Sequence, residues 1–154
     1  DIIIGGRSDR GGRYIAPTVI AGITGSERLM EDEIFGPLLP VIAYDDLSEA
    51  IAFVNSRPKA LALYFFSRNK AHQERVLAET SSGGGCINDT ALHFTVTGLP
   101  FGGVGDSGMG KYHGRASFDT FTHERSIVRN GFLVDVFLRY PPYKDHVNFL
   151  RRLF

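Results

Sequence analysis

The sequence contains a single cysteine and carries no formal net charge. Its single cysteine, Cys86, cannot form an internal disulfide or supply a zinc site alone, which favours a reducing, intracellular compartment. Seventeen Lys and Arg residues balance seventeen Asp and Glu, so the formal net charge is zero. The basic surplus that marks many nucleic-acid-binding proteins is therefore missing, and we predict no nucleic-acid partner.

Long apolar runs are missing as well. No run approaches the roughly 18 to 20 residues that a membrane helix requires. The opening stretch, DIIIGGRSDRGGRY, lacks the basic region and long apolar core of a secretory leader. Because it opens on the strand-like run Ile2-Ile3-Ile4, we expect a fragment of a longer protein. A cytoplasmic location is the prediction, and membrane association stays open.

The remaining sequence is typical of one globular domain with alternating strands and helices. Of its 154 residues, 43% are hydrophobic, enough for a core. Asp46 or Ser48 is expected to cap one helix and Asn69 to begin the next, which Gly83-Gly84-Gly85 would end. Strand-like apolar runs at residues 39–46 and 60–68 precede these helices. This order predicts an α/β fold with a mostly parallel sheet and flanking helices.

A glycine-rich segment, GLPFGGVGDSGMGKYHG (98–114), contains near matches to two nucleotide-binding loops. Gly103 to Gly108 spells G-x-G-x-x-G, but the strand and helix that should flank a dinucleotide-binding loop are not indicated. Gly105 to Lys111 approaches a P-loop, but Tyr112 stands where a magnesium-binding Ser or Thr is needed. A loop whose glycines permit close backbone packing is the simpler interpretation.

Two further segments complete the chain. SFDTFTHERSIV (117–128) alternates in a way typical of a strand exposed on one side. The apolar residues from Val147 onward predict a short amphipathic helix. We accordingly divide the chain into residues 1–115, a strand segment at 116–129 and a tail at 130–154.

Four separated segments, in order, resemble the aldehyde dehydrogenase superfamily. EDEIFGP (31–37) resembles a hallmark of the superfamily, and SSGGGCIND (81–89) resembles a segment of its catalytic domain. LPFGGVGDSGMGKYHGRASFDTFTHERSIV (99–128) and RYPPY (139–143) are similar to its class 3 and fatty-aldehyde branch. The resemblance implies the C-terminal part of the catalytic domain, followed by an oligomerisation strand and a tail.

The resemblance implies oxidation of aliphatic or aromatic aldehydes to carboxylates with NAD or NADP. In the family a cysteine thiolate attacks the aldehyde, hydride passes to the cofactor, and water releases the acid from a thioester. The family's nucleophile and general-base glutamate would lie outside this chain. Cys86 does not match the nucleophile's surroundings, and we expect it to be a small buried residue. The isolated chain is therefore expected to be inactive. We also expect it to self-associate, because surface that would pack on the missing domain is left exposed.

The resemblance implies that Glu33 and Phe35 contact the cofactor. The Glu33 carboxylate would accept hydrogen bonds from the nicotinamide ribose hydroxyls. Phe35 would pack beside the cofactor, and Gly36-Pro37 would fix the backbone that carries both. An acidic surface turn next to a core phenylalanine is the alternative from the residues alone.

The resemblance also implies a substrate-side wall, in which Phe101 lines the aldehyde tunnel and His113 orients loops or substrate through hydrogen bonds. The wall residues are Asn88, Ala91, Phe94, Thr95, Phe101, Tyr112 and His113. Its apolar lining would suit medium or long aldehydes, since each buried CH2 contributes ~0.8 kcal/mol. No metal site is predicted. Taken alone, His113 is better explained as a structural residue.

The resemblance implies a homodimer in which the strand at residues 117–128 pairs with the partner's sheet. A non-catalytic dimerisation or regulatory module derived from such an enzyme is the alternative function.

Overall fold

The computed structural model describes residues 1–133, 140–142, 147 and 151–152. The chain divides into two compact units, Asp1–Phe121 and Thr122–Phe154. The strands of the first unit are β1 (Ile2–Ile4), β2 (Ser8–Asp9), β3 (Tyr14–Ile15), β4 (Thr18–Ile20), β5 (Leu38–Pro40), β6 (Ala62–Phe65) and β7 (Gly84–Ile87). Its helices are α1 (Leu47–Asn55), α2 (Lys70–Glu79), α3 (Leu92–Thr95) and α4 (Gly114–Phe121), with 3-10 turns at Arg28–Met30 and Gly105–Ser107.

The strands form three small sheets of mixed direction. In the three-stranded sheet, ordered β1-β4-β5, the β4–β5 pair is parallel and the β1–β4 pair is antiparallel. Strands β2 and β3 form an antiparallel pair. Strands β6 and β7 pair in parallel from Ala62↔Gly84 to Phe65↔Ile87, with α2 as the crossover helix. The α/β prediction is thus confirmed for the β6-α2-β7 unit, while the pairing overall is mixed rather than mostly parallel.

Both predicted helix starts are confirmed. The Asp46 carboxylate accepts a hydrogen bond from the Ser48 amide at 2.6 Å and caps α1. The Asn69 side chain accepts from the Ala71 amide at 3.0 Å and caps α2. These side chains satisfy amides that a helix start leaves without partners.

The predicted glycine stop of α2 is wrong. The helix ends at Glu79, and Gly84 and Gly85 belong to β7. A side chain at Gly85 would collide with the Leu63 carbonyl on the neighbouring strand. Here glycine serves close strand pairing rather than a helix end.

The core lies between α1 and α2, which pack against each other. Ile51 of α1 and Val76 of α2 are the buried hydrophobic residues among those described. Many apolar side chains instead face outward, and all three isoleucines of β1 are more than half exposed. Across the described residues, no helix has the length and apolar character needed to cross a bilayer.

The strand predicted at residues 117–128 is wrong over its first part, which belongs to α4. The Ser117 hydroxyl accepts a hydrogen bond from the His113 amide at 2.8 Å, and the Arg115–Asp119 ion pair spans one helical turn at 2.7 Å. A short alternating pattern can satisfy either period, and these local bonds favour the helix. Residues 123–131 form no regular element. The predicted tail helix lies mostly outside the described residues.

Candidate functional site

Six rings meet in one group, which we call the aromatic cluster: Tyr64, His93, Phe94, Phe101, Tyr112 and His113. Phe101 is at its centre. Its ring centroid lies 5.7 Å from those of His93 and Tyr112, 5.9 Å from that of His113 and 6.1 Å from that of Phe94. The structure therefore brings together four of the seven predicted wall residues.

The glycine-rich loop positions two of these rings by closing on itself. The amide of Phe101 donates to the Tyr112 carbonyl at 2.8 Å, and the Tyr112 amide donates back at 2.9 Å. Inside this bridge, the Ser107 hydroxyl accepts from the Val104 amide at 3.0 Å. A side chain at Gly103 would collide with the Ser107 carbonyl. The loop thus uses its glycines for close backbone packing, as the simpler interpretation predicted.

Three predicted wall residues adopt positive φ angles: Asn88 at 58°, Ala91 at 59° and His113 at 82°. Asn tolerates this region, but Ala and His do so at an energetic cost. Asn88 is held by its neighbours, because its side-chain oxygen accepts from the Ser67 amide at 2.7 Å. Such conformations cost about 1–3 kcal/mol each and cluster at functional sites. Backbone strain is thus concentrated where the wall was predicted.

Two of the three wall residues outside the cluster, Ala91 and Thr95, lie at the two ends of the short helix that carries Phe94. Ala91 directly precedes α3 as its N-cap, and Thr95 is the last residue of the helix. The Thr95 hydroxyl donates to the Leu92 carbonyl at 2.8 Å, so it is engaged within the helix. Short helix α3 thereby presents Phe94 to Phe101.

Two buried imidazole nitrogens of the cluster have no hydrogen-bond partner in the described part of the chain. They are Nε2 of His93 and Nδ1 of His113. Buried polar atoms without partners are uncommon and indicate sites where another group can bind. The apolar faces of the cluster can pack against a hydrophobic molecule, while these two nitrogens lie below that surface.

Sequence reasoning missed His93 and Tyr64. His93 stands between the predicted residues Ala91 and Phe94, and this position was the available signal. The centroid of its imidazole lies 5.8 Å from that of the Tyr64 ring and 5.7 Å from that of the Phe101 ring. Tyr64 gave no signal, since it lies within the continuous apolar run that forms β6.

Cys86 in β7 lies next to the cluster. Its sulfur is 3.5 Å from Nδ1 of His93, and the residue is partly rather than fully buried. The prediction of a buried cysteine therefore needs correction. Among the residues described, no group of three His, Cys, Asp or Glu side chains could hold a metal ion.

Glu33 and Phe35 lie in the segment between the first 3-10 turn and β5. Glu33 is exposed, and its carboxylate has no hydrogen-bond or ion-pair partner among the described residues. Phe35 is 92% exposed, so the alternative of a core phenylalanine is wrong. The aromatic cluster includes neither residue.

Comparison with known proteins decides the family. A model described as the aldehyde dehydrogenase family matches residues 1–127. The chain belongs to the aldehyde dehydrogenase family. A family 3 aldehyde dehydrogenase of Dictyostelium discoideum, comG, is 52% identical over 144 residues, which are 92% of this chain and 31% of that protein. The predicted resemblance to the class 3 branch is confirmed.

Two solved aldehyde dehydrogenases share its fold. The substrate-bound state of Staphylococcus aureus AldH has a TM-score of 0.86 and 48% identity, covering 99% of this chain and 33% of that one. The Mycobacterium tuberculosis enzyme in complex with NAD+ has a TM-score of 0.75 and 31% identity, covering 86% and 28%. This aldehyde dehydrogenase chain spans about a third of the length of the curated relatives it matches.

Proposed function

We propose that the chain is the C-terminal part of the catalytic domain of an NAD(P)+-dependent aldehyde dehydrogenase. The enzyme would oxidise aliphatic or aromatic aldehydes to carboxylates, and its nucleophilic cysteine would lie elsewhere in the protein. The observation that carries the proposal is the meeting of Phe94, Phe101, Tyr112 and His113 in one cluster. Family membership and the NAD+ complex of the M. tuberculosis relative support it.

The cofactor side of the site would be Glu33 and Phe35. An unpartnered carboxylate can accept hydrogen bonds from both hydroxyls of a ribose, and an exposed ring offers a flat apolar face. The residues present therefore fit a nicotinamide riboside. When bound, the cofactor would accept hydride from the substrate. Glu33 would orient the ribose, and Phe35 would shield one face from water.

The substrate side would be the aromatic cluster. Phe94, Phe101 and Tyr112 would surround the apolar part of an aldehyde and exclude water from it. His113 would orient the loop behind this wall, since its amide donates to the Ser117 hydroxyl and its ring stacks on Phe101. The proposed aldehyde oxidation requires no proton transfer by a residue of this wall.

Assembly as a homodimer belongs to the same proposal. The exposed apolar side chains in the described part of the second unit include Ile127, Val128, Phe132 and Leu133. Burying them against a second copy would remove them from water. Sedimentation of the full-length protein tests this, and a monomer at micromolar concentration would refute the dimer.

The test of the activity uses the full-length protein that carries this chain. We expect aldehyde-dependent reduction of NAD+ or NADP+ over a series of aliphatic and aromatic aldehydes. Glu33→Gln should raise the KM for the cofactor about tenfold, the effect of losing a hydrogen bond to a charged group, and leave the KM for aldehyde unchanged. A folded full-length protein without activity would sink the proposal and favour the non-catalytic module.

A further inference from the structure

Arg57 connects two parts of the chain that are far apart in sequence. It follows α1, and its partly buried guanidinium donates from Nη1 to the Met30 carbonyl at 3.1 Å and from Nη2 to the Gly25 carbonyl. The guanidinium also lies 4.9 Å from the centre of the Phe53 ring. A planar guanidinium suits this arrangement, because it can bind two acceptors while packing on an aromatic face.

The loop that Arg57 holds, residues 24–31, is closely packed. Gly25 is buried with φ of 96°, and a Cβ atom there would lie 2.5 Å from a ring carbon of Phe53 and 2.8 Å from Arg57 Nη2. Within the loop itself, the Glu27 carboxylate accepts from the amides of Thr24 at 2.9 Å and Gly25 at 2.8 Å. The loop is therefore fixed by contacts at both of its ends.

This loop leads directly into the segment that carries Glu33 and Phe35. Neither side chain has a contact that would hold it, since Glu33 is unpartnered in the described part of the chain and Phe35 is 92% exposed. Their placement depends on the nearest fixed points of the backbone. On the C-terminal side, that point is the Pro37 carbonyl, which accepts from the Thr18 amide of β4 at 2.8 Å. On the N-terminal side, it is the 3-10 turn, which the Met30 amide to Glu27 carbonyl bond (2.7 Å) and the Glu31 amide to Arg28 carbonyl bond (3.2 Å) close. Arg57 ties this turn to the end of α1 through the Met30 carbonyl.

We propose that Arg57 is a positioning residue for the cofactor side of the site. By fixing the Gly25 and Met30 carbonyls, it sets where residues 31–37 begin and so where the Glu33 carboxylate points. The inference rests on the proposed function for its cofactor, but the tether itself can be tested without it. Arg57 touches neither substrate nor cofactor in this scheme.

The experiment compares Arg57→Gln and Arg57→Lys with a matched control, Arg75→Gln. Arg75 also reaches α1, because its Nη2 donates to the Ser48 hydroxyl at 2.9 Å, but it contacts no part of the loop. Amide hydrogen exchange is measured on the full-length protein that carries this chain. Kinetic constants and melting temperature are measured on the full-length protein.

For Arg57→Gln we expect faster exchange confined to residues 24–31, and no such change for Arg75→Gln. The KM for NAD+ should rise about tenfold while the KM for aldehyde stays within about twofold, as expected for loss of cofactor binding alone. Arg57→Lys should recover part of the loss, since lysine keeps the charge but not the planar fork.

Three results would overturn the inference. Exchange at residues 24–31 equal to that of the control would show that Arg57 does not hold the loop. Equal rises in both KM values, or a loss of activity that follows melting temperature alone, would show a general structural role. If the unmodified full-length protein lacks activity, the proposed function fails, while the exchange data still decide the tether.

Discussion

The ring of Phe101 stacks on the imidazole of His113, with centroids 5.9 Å apart and planes 24° apart. The glycine-rich loop that separates them in sequence is closed by the two backbone hydrogen bonds between Phe101 and Tyr112. The closed loop therefore brings two wall residues, Phe101 and His113, into contact. Its stability and the shape of the proposed aldehyde site depend on the same contacts.

Phe101→Ala should weaken both the fold and aldehyde binding. Removing a partly buried ring should cost about 1–3 kcal/mol of unfolding free energy, below the range for fully buried phenylalanine. In the full-length enzyme, the KM should rise more for long aldehydes than for short ones, because apolar contacts are lost. Phe66→Ala, which removes a ring outside the cluster, is the control and should leave the KM values unchanged. Equal effects of both variants on KM would contradict the assignment.

Cys86→Ser should retain the activity of the full-length enzyme. The sulfur contacts a histidine nitrogen at 3.5 Å, an arrangement that in other enzymes activates a nucleophile. We nevertheless expect kcat within about twofold of the unmodified enzyme, since loss of a true nucleophile would remove orders of magnitude. Steady-state kinetics decide the point, and an inactive but folded variant would make Cys86 the nucleophile.

Glu27→Gln should lower stability in a pH-dependent way. Hydrogen bonds from backbone amides, that of Thr24 foremost, lower the pKa of Glu27 from 4.5 to about 2. Because the folded-state pKa lies below the unfolded value, this stabilisation is complete above pH 4.5 and disappears as the pH falls towards 2. The melting-temperature difference between unmodified chain and variant should therefore be largest near neutrality. Glu74→Gln, at an exposed carboxylate of α2, is the control, and a pH-independent difference for Glu27→Gln would refute the argument.

Gly83→Ala should destabilise the chain, whereas Gly98→Ala should not. A methyl group at Gly83 would collide with the Gly102 carbonyl and lie 2.6 Å from the Leu61 carbonyl, and backbone cannot move away cheaply. Overpacking of this kind costs about 1–3 kcal/mol. A Cβ atom at Gly98 would have no neighbouring atom within 4 Å. Urea denaturation measures both variants, and similar midpoints would show that the Gly83 backbone can adjust.

Sequence reasoning succeeded where the determinants were local. Asp46 and Asn69 cap helices through amides two residues ahead, so each start could be predicted from a few neighbouring residues. Reasoning from the alternation in residues 117–128 failed for a local reason as well. That short pattern fits two periods, and the bond between the His113 amide and the Ser117 hydroxyl favoured α4.

By itself, the sequence determined the helix caps, the close packing of the glycine-rich loop and the family, because these depend on short runs of residues. Only the tertiary structure brought His93 and Tyr64 to Phe101 and carried Arg57 to the Gly25 and Met30 carbonyls. Such contacts join residues from separate elements. They depend on how strands and helices pack in three dimensions, which no local pattern of side chains encodes.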